Sequence, residues 1–237
     1  MQIECVWEHN GDDSLLYASN LVGAFTRGAT KEEAVRKMPC EASAYIKWMN
    51  GSVFDPSDFD VRIIQEKVSD LNISDADSDV LFDSEQLSLS ADEYLNLKEL
   101  ALKSAESFLA LYDSFPDTNC SVLPERNTFY GSVPRTAGEM YLHTKNVNAY
   151  YFGELGIEAD NNGNIVECRR NGFEILERQP NYLEHGIFDG SYDELWSLRK
   201  VLRRFVWHDR IHAKAMYRMG CKTFGKSSIP DIFCFEL

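Results

Sequence analysis

Paired cysteines are missing from this chain. Its six cysteines stand at positions 5, 40, 120, 168, 221 and 234, with no CxxC among them. That spacing excludes the usual thiolate sites for zinc or an iron–sulfur cluster, and it does not read as the framework of a small secreted scaffold. The cysteines are expected to be reduced and mostly buried. Long apolar runs are also lacking: no window approaches the roughly 18 residues that span a membrane. The opening residues, MQIECVWEHNGDD, have neither the basic start nor the apolar run of a signal peptide, so the expected location is the cytoplasm, with no membrane partner. Basic residues are few, 24 Lys and Arg against 38 Asp and Glu, for a net charge of -14. A phosphate backbone needs the opposite balance, so nucleic acid is not expected as a partner.

What is present is the composition of a folded protein. Hydrophobic residues make up 44% of 237 and aromatics 12%, enough to bury a substantial core. Acidity is concentrated early, with 19 acidic and 7 basic side chains in residues 1–93. The stretch 191–226 reverses this, with nine Lys or Arg against three acids. It suits a solvated helix face or an anion-binding one.

From residue 3 to about 48 the pattern reads strand, strand, helix. IECVWEH leads through a turn at NGDD into LLYASNLVGAFTRG, and Thr30 with Glu33 forms a capping-box signature for the helix that follows. Ala34, Met38, Ala42, Tyr45 and Met49 recur at helical spacing behind it. A further strand is expected in DVRIIQEKVSD, with Val61, Ile63 and Gln65 alternating with Arg62, Ile64 and Glu66. The segment NLVGAFTRGATKEEAVRKMPCEASAYIKWM resembles the compact domain of HicB-type antitoxins, in which a strand end runs through GxT into a helix beginning EEA. The resemblance covers about the first 70 residues. It implies an α/β domain that binds a protein partner or assembles into homo-oligomers. No DNA-binding segment accompanies it, and a small packing module without a toxin partner fits the same residues.

Residues 55–93 carry twelve acids against two bases, and 71–89 is expected to be a linker. DADSDVLFDSE lacks the glycine that an EF-hand loop needs for its turn.

Helical spacing dominates thereafter. Ser90 caps a helix whose stripe is Tyr94, Leu97, Ala101, Ser104, Phe108, Leu111 and Phe115, ending before Pro116. A second runs from near Arg135 to Gly153–Gly156, with Met140, His143, Val147, Tyr150 and Leu155 on its inward face. A third is expected in 172–186. The last, 192–219, carries Leu195, Leu198, Leu202, Phe205, His208, His212, Met216 and Met219 on one stripe. Helices of this length with apolar seams indicate an antiparallel bundle over 90–237 and an α+β chain overall.

Three of the five histidines fall on those inward stripes. His208 and His212, four apart, project from one helix face and can reach one cation at about 2.1 Å. His143 supplies a third imidazole from another helix. Three ligands with open positions match a catalytic zinc site, and imidazole also suits nickel. HDRIH differs from the protease signature HExxH in having Asp209 for Glu, and only Asp231 and Glu236 follow as oxygen ligands, which disfavours a zincin. His9 and His185 are expected at the surface.

RTAGEMYLHTKNVNAYYFGELG followed by ELWSLRKVLRRFVWHDRIHAKAMYRM resembles the DinB superfamily, which has one His on its second helix and an HxxxH pair on a later one. The resemblance covers about 90–220. It implies a four-helix bundle holding nickel or zinc through His143, His208 and His212. Related bundles use a low-molecular-weight thiol in transferase or isomerase reactions, and a hydrolase remains open for this chain. No motif fixes a small-molecule substrate. The competing expectation is a non-catalytic binding or scaffold protein acting through its N-terminal domain.

GCKTFGKS, 220–227, matches the phosphate-loop pattern, but a helix leads in and Pro230 prevents one leading out. Gly220 is expected to end the last helix.

Overall fold

A computed structural model describes residues 1–128, 131–184 and 186–235. The chain is α+β and divides into two compact units. One spans Met1–Leu87 with Cys234 and Phe235; the other spans Ser88–Phe233. No described helix is long and apolar enough to cross a membrane.

In the first unit, β1 (Gln2–His9) lies antiparallel to β2 (Ser14–Ala18), and β2 antiparallel to β3 (Phe25–Gly28). The expected second strand is thus two strands. Ala24 donates to Leu21 O at 2.9 Å in a turn whose Gly23 has φ 94°, a conformation that costs glycine little. Helix α1 (Lys31–Asn50) then crosses over, so that β4 (Asp60–Val68) pairs parallel to β1, in the sheet order β3-β2-β1-β4. Thr30 caps α1 by accepting from Glu33 N, while the Glu33 carboxylate accepts from Ala29 N at 3.0 Å. The expected reciprocal bond to Thr30 N moves one residue back. The register shifts between Cys5 and Val6, and Ile64 lies on the exposed face of β4, whose alternation is unbroken.

The acidic segment expected as a linker clusters with this first unit up to Leu87. Ile73, Val80 and Phe82 within it are buried. The reason lies on β1. Glu8 is fully buried, and its carboxylate accepts from Tyr17 Oη (3.2 Å), Ser78 Oγ (2.5 Å) and Asp79 N (3.2 Å). A buried carboxylate needs such donors, and residues 78–79 supply two of them. The Gln65 amide adds bonds to Leu81 O and Asp83 N.

The second unit holds four α-helices among the described residues: α2 (Ala91–Asp113), α3 (Ala137–Gly153), α4 (Ile165–Glu177) and α5 (Leu198–Phe224). Capping boxes at Ser90/Glu93, Thr136/Glu139 and Asn164/Glu167 open the first three. The expected third helix begins seven residues earlier than its apolar pattern indicated, because Asn164 accepts from both Val166 N and Glu167 N. Ser197 caps α5, so that helix starts six residues later than expected. It also runs through Gly220 to a cap at Gly225. Gly220 serves packing: a Cβ there would stand 2.6 Å from the Phe115 ring. Two short strand pairs, β5 (Asn127–Thr128) with β6 (Gly131–Ser132) and β7 (Phe188–Asp189) with β8 (Leu195–Trp196), were not expected.

Helices α2 and α3 each pack on both α4 and α5. Phe152, Phe173 and Phe205 meet at their centre, with ring centroids 5.2–6.2 Å apart. Beside them Arg169 of α4 holds Asp209 of α5 through two bonds, of 2.9 and 3.1 Å, and also donates to Ala101 O of α2 at 3.2 Å. Both side chains are fully buried, and the guanidinium lies 4.0 Å from the Phe205 ring centre.

Gly172 faces Phe152 so closely that an added Cβ would lie 2.1 Å from its ring, whereas Gly153 has nothing within 4 Å. Gly172→Ala is expected to destabilise the fold by about 1–3 kcal/mol through overpacking. Gly153→Ala is expected to be neutral or to stabilise by up to about 1 kcal/mol. Urea unfolding of the two variants checks this.

Candidate metal centre

The site is built from α3 and α5. One helical turn separates His208 from His212, and their ring centroids are 4.4 Å apart. His143 on α3 comes within 5.2 Å of the first ring and 4.6 Å of the second. One ligand nitrogen from each of the three lies within 4.8 Å of the others. Three nitrogens around a tetrahedral ion stand about 3.4 Å apart, so modest side-chain rotations separate this arrangement from a ligating one.

His143 does not reach the site by the route its sequence pattern indicates. It is exposed, as are Leu142 and Tyr150, while Met140, Thr144, Asn148 and Tyr151 form the buried stripe. The inward face is rotated by one residue, about 100°. Two polar residues cause the misreading. Thr144 satisfies its hydroxyl on Met140 O at 2.8 Å, and the Asn148 amide donates to Asp160 O and Cys168 O, each at 3.1 Å. Their burial leaves His143 at the rim, where it faces the α5 pair.

The three rings grade from solvent inward: His143 exposed, His212 half-buried, His208 buried. Burial lowers all three pKa values. For His208, well below the ordinary histidine range, the neighbouring His212, His143, Arg204 and Arg169 add to the effect of burial. His212 falls to about 3 through burial and its proximity to His143, and His143 falls through burial. The cluster is therefore neutral at pH 7, the protonation state in which imidazole binds metals. Nδ1 of His208 is buried without a hydrogen-bond partner among the described residues. An orphaned ring nitrogen beside two other neutral imidazoles fits a divalent cation, and all-nitrogen donors suit zinc or nickel.

Asp209 is adjacent to His208 in sequence but points away from this cluster, held by Arg169 in the core. Burial pushes its carboxyl above the usual range, and the Arg169 guanidinium pulls it back. A base for the protease reading is thus absent from the site among the described residues. Comparisons made with protein-family models, with curated proteins and with solved structures gave no match.

Other candidates settle differently. His9 is half-buried at the end of β1, stacked on Trp7 at 3.9 Å and 3.2 Å from Glu66. It is thus less exposed than the surface position expected. His185 and Glu236 lie outside the described residues, and Asp231 is half-buried near Tyr217. All six cysteines are free, but only Cys5 and Cys168 are buried, against the expectation that most would be. The phosphate-loop match begins inside α5, so its first five residues form helix and not a loop. Arg204, one turn before His208, was read only as part of a basic helix face. It is in fact buried against the rings of Tyr151, Trp196 and Trp207.

Two measurements follow. Arg169→Met leaves Asp209 buried without its charge partner and should cost about 3–5 kcal/mol in denaturant unfolding. The paired replacement Arg169→Met with Asp209→Leu should recover most of that loss. The second concerns pH. The lowered histidine pKa values mean that the unfolded metal-free chain binds more protons than the folded one between pH 6.5 and about 3. Their contribution is fully present above pH 6.5 and is lost as pH falls through that window. Histidine-to-glutamine replacement at 212 should flatten this part of the stability curve.

Proposed function

We propose that the second unit is a DinB-like bundle whose His143, His208 and His212 hold one divalent ion, nickel or zinc. The observation that carries this reading is the convergence of three imidazoles from two helices, one ligand nitrogen of each within 4.8 Å of the others. A divalent ion supplies Lewis acidity there, the property needed by thiol S-transferase or hydrolase chemistry. The chain's own part is to set the ligands. Helix α5 fixes the His208 and His212 rings on one face, and the Arg169–Asp209 pair fixes the rotation of that helix against α4. His143, at the rim, leaves solvent access for a small molecule or a thiol cofactor. The first unit, read as HicB-like, serves partner capture or assembly of the protein into oligomers. The order of its strands around a single crossing helix supports that reading.

Elemental analysis of protein purified without an affinity tag should find about one nickel or zinc per chain. His212→Ala should lose the metal while its melting temperature in chelator stays within a few degrees of the parent's. A metal-free preparation whose melting temperature responds to neither added nickel nor zinc would sink the proposal. Metal loss accompanied by collapse of the fold would make the ion structural.

A further inference from the structure

The loop between α3 and α4 grips α3 on the side away from the three imidazoles. Lys145 donates its ammonium to Asn161 O at 2.8 Å and to Gly163 O at 3.2 Å. The Asn148 amide donates to Asp160 O in the loop and to Cys168 O of α4. Ile165 N, at the start of α4, donates to the Tyr141 hydroxyl at 3.1 Å. With 3.6 residues per turn, Tyr141, Lys145 and Asn148 stand roughly 140–200° round the helix from His143. The grip is therefore behind the histidine.

One contact is of another kind. Asn161 turns its side chain back onto the main chain of α3: its Oδ1 accepts from Ala149 N and its Nδ2 donates to Asn146 O, each at 3.0 Å. Main-chain groups inside a helix ordinarily bond only to one another, and a side chain that enters that ladder sets the local course of the helix. The loop is itself held in shape. The Asp160 carboxylate accepts from Asn162 N at 3.0 Å and Asn162 Nδ2 at 2.8 Å, and Gly163 turns the chain with φ 87°.

The three ligands are not equally secured. His208 and His212 share a helix whose rotation is fixed by the Arg169–Asp209 pair. His143 comes alone from α3 and is exposed at the rim, so the course of α3, more than packing around the ring, decides where its nitrogen stands. A metal–nitrogen bond of about 2.1 Å is made or lost over a displacement of 1 Å. Resting on the metal reading above, we infer that Asn161 is a positioning residue for the centre: with Lys145 and Asn148 it braces α3 from behind and holds His143 up to the ion.

The test titrates cobalt(II) into the full chain, freed of metal, and follows its visible absorption. Asn161→Ala should weaken cobalt binding about tenfold or more. Lys145→Met should weaken it too, although removing a cation would by itself favour the ion. Ser90→Ala removes the cap of α2 and lowers stability away from the loop, and it should leave cobalt affinity unchanged. With His143→Ala already in place, Asn161→Ala should cost no further affinity, because the ligand that it positions is gone. Unaltered cobalt affinity in Asn161→Ala, an equal loss in Ser90→Ala, or a full additional loss in the His143→Ala background would each overturn the inference. Should Asn161→Ala fail to fold, Lys145→Met compared with Ser90→Ala decides. Failure of the parent protein to take up cobalt defeats the metal reading, whereas cobalt uptake indifferent to Asn161 defeats this inference alone.

Discussion

Arg169 and Asp209 meet where no water reaches either, and the helical unit is organised around that meeting. Removing two charges from water is expensive, and the cost is offset only when both ends of the guanidinium fork and both carboxylate oxygens are engaged at once. Such a bond tolerates little rotation. It fixes α5 about its own axis relative to α4, and the third contact, to Ala101 O, brings α2 into the same arrangement. Apolar packing alone, as among Phe152, Phe173 and Phe205, accepts many rotations of nearly equal energy; the ion pair selects one. With Asp209 turned inward, the neighbouring His208 is carried to the adjoining face, toward α3.

A similar division of labour is visible on α3. Thr144 and Asn148 occupy the buried face and satisfy their polar atoms on backbone carbonyls, so the core accepts them without an unpaired donor. The histidine is thereby freed from the core and can sit at the boundary between protein and water. Ligand placement and core packing are assigned to different residues of one helix.

Local signals were legible in the sequence where they are chemically local. Ser90 with Glu93 announced α2, and the four-residue spacing of His208 and His212 placed both rings on one face of α5. Signals that depend on a distant partner were not legible. One local signal was missed as well: the capping box of α4, Asn164 with Glu167, lies in a polar run that reads as a turn. The face of His143 was misassigned because hydropathy counts Thr144 and Asn148 as solvent-facing, when the carbonyl groups that receive their hydrogen bonds permit burial. Nor did the pattern of residues 199–210 reveal that Lys200, Arg203, Arg204 and Arg210 are buried, since a basic run ordinarily marks a solvated surface. The acidic segment after residue 70 misled for the same reason, its few apolar residues being outnumbered by the charges around them.

The buried Glu8 gives the first unit a particular order of assembly. It belongs to the first strand of the chain, yet two of the groups that make its burial tolerable, Ser78 Oγ and Asp79 N, lie 70 and 71 residues further on. A chain emerging from the ribosome therefore carries a charged group in its earliest strand that cannot be sealed until nearly the whole unit has been made. Closing so long a loop costs entropy before any contact rewards it. The sheet can form its hairpin early, but the surroundings of Glu8 are complete only once Ser78 and Asp79 have joined it.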